Sequence, residues 1–203
     1  PGQTDPVAAI RAAHHLLLAH GWAIQALRSA DPTANLGITL NFTPAIPASA
    51  APGDVDAARR LNGTNNRYFV EPIFNGAYPA DVLTDLEAIW PEDLVQDGDL
   101  AAIATPIDVL GVNYYTTNLV AAAPDGAAPA SGPSSDITAP GVMVVDRDLP
   151  KTAMGWDIDP DGLRAACDVE RTPLNDDDVR RARRAYLGNV SYVDDWTGRL
   201  LHT

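Results

Sequence analysis

Two short apolar runs that lie far apart in the chain constrain the fold most strongly. They occupy residues 36–42 and 107–115, both contain β-branched residues, and turn-forming residues bound the first of them. Runs of this kind are typical of strands buried in a parallel sheet. Helical patterns at 6–30, 54–74 and 80–88 precede and separate the two runs. The order helix, strand, helix, helix, strand predicts an α/β fold with parallel strands.

The first predicted helix has clear start and stop signals. Asp5 is a candidate N-cap and is followed by Pro6 at the first helical position. Apolar side chains such as Ile10, Leu17 and Ile24 then recur near the helical period. The Asp31-Pro32 pair predicts the end of this helix.

Composition excludes several functional classes. The 46% hydrophobic content is enough for a packed core, and the net charge of −13 argues against nucleic acid as a partner. Cys167 is the only cysteine, so neither an internal disulfide nor a cysteine-rich metal site is expected. No apolar run is long enough for a membrane span. These features favour a cytoplasmic protein, although a chain that starts at Pro1 rather than methionine constrains localisation only weakly.

Two later segments differ in composition from the rest. Residues 121–140 are rich in Ala, Pro, Gly and Ser, which is typical of a long βα loop or of a linker between domains. Residues 175–201 combine a cluster of aspartates with the arginines that follow it, and Asn175 is a candidate cap. This pattern predicts an amphipathic C-terminal helix.

Four blocks of sequence resemble family-one glycoside hydrolases, the β-glucosidase family, and they occur in the family's order. They are Arg11-Ala-Ala-His-His-Leu-Leu-Leu-Ala-His-Gly21, Gly37-Ile-Thr-Leu-Asn-Phe-Thr-Pro44 with Pro47-Ala-Ser49, Asn66-Arg-Tyr-Phe69 with Pro72-Ile-Phe-Asn-Gly-Ala-Tyr-Pro79, and Asp108-Val-Leu-Gly-Val-Asn-Tyr-Tyr115 with Met154-Gly-Trp156 and Pro160-Asp-Gly-Leu163. One block alone would be weak, but four in order over residues 1–165 make the resemblance specific.

The resemblance implies a partial TIM (β/α)₈ barrel. The blocks correspond to the region from about strand four to strand six with its helices, and the predicted C-terminal helix follows. Two of eight strands cannot close a barrel. The unpaired strand edges would therefore favour self-association.

The resemblance also implies a sugar site at the carboxyl ends of the strands. Asn113 and Tyr115 match a pair near the sugar subsite, where the family's tyrosine hydrogen-bonds the nucleophilic carboxylate. Asn41 ends the fifth strand, and Trp156 matches a tryptophan near the aglycone side. The implied ligand is a β-glucoside or an oligosaccharide. Without the resemblance, a tyrosine at a strand end or a lone tryptophan is more often a packed side chain.

No metal or cofactor is expected. His14 and His15 are adjacent on the first helix and so point to different sides of it, without a nearby cluster of carboxylates. The aspartates at 176–178 fit a solvated helix start better than a cation site.

Neither catalytic carboxylate of the family is present. A retaining glycosidase needs two of them, about 5–5.5 Å apart. The family supplies them in Thr-x-Asn-Glu-Pro and Thr-Glu-Asn-Gly, and this sequence contains neither motif. The four glutamates are Glu71, Glu87, Glu92 and Glu170. We therefore assign no catalytic residue and expect the chain to be inactive in isolation, with the acid/base falling upstream of Pro1 and the nucleophile falling shortly after Leu163, where the resemblance stops.

Residues 173–201 resemble a helix of another family, the choline-sulfatase-like sulfatases. The similarity lies in Arg-Arg-Ala, Val-Ser-Tyr-Val-Asp-Asp and Gly-Arg-Leu, whereas the sulfatase nucleophile motif Cys-x-Pro-x-Arg is absent. The predicted organisation is a partial barrel over 1–165, a junction over 166–174 and a helical tail over 175–203. Three hypotheses remain: an internal fragment of a retaining β-glucosidase, a non-catalytic α/β interaction or carbohydrate-binding module, and a sulfatase-related chain.

Overall fold

The computed structural model describes residues 5–124 and 141–164. Their elements, in chain order, are α1 (Pro6–Ala30), β1 (Gly37–Phe42), β2 (Ala45–Pro47), α2 (Pro52–Asn62), a π-helical turn (Gly63–Arg67), α3 (Tyr68–Asn75), α4 (Ala80–Asp85), α5 (Asp99–Ile103), β3 (Val109–Tyr114), β4 (Asn118–Ala122) and β5 (Val142–Val145). The predicted boundaries of the junction at 166–174 and of the tail at 175–203 lie outside the described residues.

The first helix begins and ends as its sequence predicts. The Asp5 carboxylate accepts hydrogen bonds from the backbone N–H groups of Val7 and Ala8, and Pro6 occupies the first turn. These contacts satisfy two of the free N–H groups that every helix start leaves. The helix ends at Ala30, directly before the Asp31-Pro32 pair.

The two predicted strands form a parallel pair. β1 and β3 run side by side from Gly37↔Val109 to Phe42↔Tyr114. A second sheet contains β2 and β4 in parallel and β4 and β5 antiparallel. The sequence patterns missed all three strands of this second sheet. The first residues of the segment predicted as a loop at 121–140 belong to β4, and residues 125–140 lie outside the described part.

The helix predicted at 54–74 is one helical stretch with a π-helical turn in its middle. It starts two residues earlier, at Pro52, and ends before Gly76, whose φ of 64° is in the left-handed region that favours glycine. The helix predicted at 80–88 is shorter and ends at Asp85. The five-residue α5 was not predicted, since a segment this short shows little periodicity.

The helices cover one face of the β1–β3 sheet. A cluster of buried side chains from α1, α3, α4 and α5 forms this core, and Ile38 and Leu40 of β1 pack against it. The α2 helix instead forms a separate core with the second sheet. Phe42 and Tyr114 continue this face toward the ends of the strands. On the opposite face Asn41, Asn113 and Val109 are exposed. The described residues are therefore α/β as predicted, with helices on one side of a short parallel sheet.

Candidate functional site

Asn41 and Asn113 meet at the carboxyl ends of β1 and β3. The two residues are direct partners in the parallel register, so their side chains emerge together on the exposed face. The Asn113 Nδ2 group donates a hydrogen bond of 3.0 Å to Asn41 Oδ1. This bond leaves further donor and acceptor capacity on both amides for a ligand.

Tyr115 and Trp156 form a second pair. Tyr115 follows β3 directly and is 48% exposed. Its ring centroid lies 5.4 Å from that of Trp156, with an angle of 47° between the planes. The four predicted site residues thus form two contacting pairs, one of amides and one of aromatic rings. Sugar sites combine these two kinds of group, because fixed polar groups orient a ligand while aromatic faces bury it.

A small turn holds Trp156 in place. Lys151 and Asp157 form an isolated antiparallel bridge, and the Lys151 ammonium group bonds the Asp157 carboxylate. The Asp157 carboxylate, followed by that of Asp146, raises the pKa of Lys151. Inside the turn the Thr152 N–H donates to the Trp156 carbonyl at 2.8 Å. Sequence spacing contained no indication of this turn.

The turn is anchored to the end of β3 by a buried hydroxyl. Tyr114 Oη donates to the Asp159 carbonyl at 2.7 Å and lies 2.8 Å from Thr117 Oγ1. A Cβ atom at Gly162 would overlap both hydroxyl groups, so only glycine fits there. Burial, the largest single effect, raises the pKa of Asp159, but the guanidinium of Arg147 together with hydrogen bonds from Thr117 and the Gly162 N–H holds that pKa below its usual value.

Asn62 and Asn66 bind the backbone just after β1 ends. The sequence patterns did not single them out as site residues. Asn66 is 2% exposed and bonds the backbone of Thr43, and Asn62 bonds the backbone of Ala45. Asn66 does lie inside the Asn-Arg-Tyr-Phe block, which was the one available signal.

The remaining candidates play structural roles. Glu71 accepts a hydrogen bond of 2.7 Å from Arg67 within the helical layer. His14 is fully buried and lies 2.8 Å from Tyr78 Oη and 3.2 Å from Asp99 Oδ2. Within residues 5–124 and 141–164 there is no group of three or more His, Cys, Asp or Glu side chains that could hold a metal ion. The same residues include no helix that could cross a membrane.

The comparisons with known proteins identify a family. Residues 1–172 match the family described as Glycosyl hydrolase family 1. The bifunctional beta-D-glucosidase/beta-D-fucosidase of Bifidobacterium breve is 42% identical over 167 residues, which are 80% of this chain and 35% of the relative. Beta-glucosidase A of Thermotoga maritima is 39% identical over 164 residues, which are 80% of this chain and 34% of the relative.

Solved structures show the same relationship. A psychrophilic beta-glucosidase from Micrococcus antarcticus has a TM-score of 0.73 and 38% identity, covering 83% of this chain and 38% of the other. A beta-glucosidase from Exiguobacterium marinum has a TM-score of 0.74 and 31% identity, covering 87% of this chain and 38% of the other.

The chain spans about a third of the length of the curated relatives it matches. The solved relatives are TIM barrels, and the described residues form only a partial α/β portion of that fold. The family match, the identities and the shared fold agree along most of the sequence. This chain belongs to glycosyl hydrolase family 1.

Proposed function

We propose that this chain supplies a sugar-binding sector of a retaining β-glycosidase. Strands β1 and β3 would be the fifth and sixth strands of the barrel. The observation that carries the proposal is the hydrogen bond between Asn113 and Asn41, at the carboxyl ends of two parallel strands. Ligands bind at this end of the strands in barrels of parallel β-strands.

The four side chains divide the work according to their chemistry. The amides of Asn41 and Asn113 bind sugar hydroxyl groups, and the rings of Tyr115 and Trp156 cover the apolar face of the ligand or its aglycone. The Tyr115 hydroxyl would also orient a nucleophilic carboxylate in a completed site. The names of the relatives, which are β-glucosidases and a β-glucosidase/β-fucosidase, support a β-glycoside as the ligand.

Hydrolysis requires groups that this chain does not carry. Retention needs one carboxylate as acid/base and a second as nucleophile. Neither family motif that carries these glutamates is present. The chain therefore binds and orients a sugar only as part of a completed barrel, and it does not cleave a glycoside alone.

Two measurements test this proposal. The purified chain should release no product from an aryl β-glucoside above the buffer rate. A chimera in which residues 1–165 replace the matching segment of the Bifidobacterium breve relative should hydrolyse that substrate, and Tyr115→Phe should slow it. Turnover by the purified chain that survives repurification and is abolished by Tyr115→Phe would overturn the proposal. So would a folded chimera that does not cleave.

The organisation of the remaining chain is part of the same proposal. It places a junction at 166–174, within which the family match ends at residue 172, and a sulfatase-like tail at 175–203. Among the described residues β1 and β3 pair only with each other, which supports self-association through their free edges. Light scattering over a range of concentrations tests this association. The acidic composition and the single cysteine favour a cytoplasmic location.

A further inference from the structure

We infer that Asn62 and Asn66 are positioning residues of the proposed sugar site, because they hold the backbone that presents Asn41. This inference rests on the proposed function in one respect, namely that Asn41 binds sugar. Neither asparagine is itself placed in the site. They act through the short segment that joins β1 to β2.

That segment is a break between two sheets. β1 ends at Phe42, paired with β3, and β2 begins at Ala45, paired with β4. Pro44 lies in the break and has no N–H group to donate. The backbone groups of Thr43 and Ala45 therefore need partners from elsewhere, since unpaired buried polar groups are costly.

The two asparagines supply those partners in a reciprocal pattern. Asn66 Oδ1 accepts from the Thr43 N–H at 3.0 Å, and its Nδ2 group donates to the Thr43 carbonyl at 3.2 Å. Asn62 Oδ1 accepts from the Ala45 N–H at 2.9 Å, and its Nδ2 group donates to the Ala45 carbonyl at 2.7 Å. Each side-chain amide thus makes the pair of backbone hydrogen bonds that a neighbouring strand would otherwise make. We call this arrangement the asparagine clamp (Asn62 and Asn66).

The two members of the clamp are joined to each other, and the helical stretch that carries them is tied to its neighbours by ion pairs. Asn66 Nδ2 also donates to Asn62 Oδ1 at 3.0 Å. The π-helical turn that carries Asn66 ends at Arg67, whose guanidinium binds both Glu71 and Asp81. π-helical turns are uncommon and occur frequently at functional sites.

The clamp reaches Asn41 through a single residue. Phe42 lies between Asn41 and the clamped Thr43, and its side chain is only 3% exposed. A displacement of Thr43 is therefore passed to Asn41 rather than absorbed by a free loop. The hydrogen bond between Asn113 and Asn41 reports on that displacement.

Asn66→Asp in the full chain tests the inference. The change is nearly isosteric, but it replaces a donor with an acceptor that faces the Thr43 carbonyl. The readout is the side-chain amide signal of Asn113 in a chain labelled with ¹⁵N-asparagine and assigned with Asn113→Ala. We expect this signal to shift and its hydrogens to exchange with solvent roughly tenfold faster. Asn75→Asp, an exposed change in the same helical stretch, is the matched control and should alter neither quantity.

The result separates positioning from simple structural support. A variant whose circular dichroism matches the parent but whose Asn113 signal changes supports the inference. An unchanged Asn113 signal in a folded Asn66→Asp chain overturns it. If that variant does not fold, Asn62→Asp at the half-buried end of the clamp decides by the same criteria. This experiment needs no sugar. A chimera that fails to cleave would therefore overturn the proposed function without testing the asparagine clamp.

Discussion

The two faces of the β1–β3 sheet differ in how deeply the described residues bury them. On the helical face Phe42 is 3% exposed and Tyr114 is 6% exposed. On the opposite face Val109 is 53% exposed, and the amides of Asn41 and Asn113 stand in solvent. The helical face holds its own core, whereas the face that carries the candidate site is largely exposed among the described residues. Stability and the proposed sugar binding therefore depend on different sides of the same two strands.

The largest expected effect comes from truncating an aliphatic side chain on each face. Ile103 is fully buried in the helical core, and Ile103→Ala should lower the free energy of unfolding by about 2–5 kcal/mol. Val109→Ala, on the open face, should cost less than about 1 kcal/mol. Urea denaturation measures both. Equal losses would mean that the open face is buried in the folded protein.

Two adjacent tyrosines give a matched comparison of smaller size. Tyr114→Phe removes a buried hydroxyl that bonds the Asp159 carbonyl and Thr117, so we expect a loss of about 1–2 kcal/mol. Tyr115→Phe removes a hydroxyl on the open face and should change stability by less than about 0.5 kcal/mol. The same denaturation experiment applies. A larger cost at Tyr115 would reverse the assignment of the two faces.

The helical layer should also contribute to acid sensitivity. The Arg67 guanidinium, followed by that of Arg59, holds the pKa of Asp81 well below its usual range. A carboxyl whose pKa is lower in the folded than in the unfolded state stabilises the fold above the unfolded value of about 4, and that contribution is lost as the pH falls further. Stability should therefore decrease below about pH 4–5, and Asp81→Asn should flatten the decrease. Parallel pH curves for the two chains would contradict this.

The smallest effect is expected from removing the tail. Deleting residues 175–203 should leave stability and solubility almost unchanged, because the family match ends at residue 172 and the proposed sulfatase-like tail would have no surface shaped for this core. Denaturation and solubility of the shortened chain measure the change. A loss of more than about 2 kcal/mol, which is large beside typical single-site effects, would mean that the tail completes the fold.

The sequence by itself determined the features that depend on local pattern. The period of α1 and its cap, the two apolar runs of β1 and β3, and the four family blocks are all contiguous stretches. The four candidate site residues were predicted from those blocks, and the absence of both glutamate motifs is read directly from the sequence. A parallel pair also implies that Asn41 and Asn113 end at the same edge.

Only the tertiary structure decided the features that depend on pairing between distant segments. β2 has three residues and β4 is rich in alanine, so neither has a strong pattern of its own, and each exists because it pairs with the other. The sequence pattern also did not reveal the π-helical turn, since one extra residue in a helix hardly alters the spacing of its apolar residues. The contacts of Asn62 and Asn66 with the backbone at 43–45, and of Tyr114 with the Asp159 carbonyl, cross between elements that the sequence shows only separately. Local energetics select helices and strands, but which buried polar group finds which partner is settled only when those elements pack.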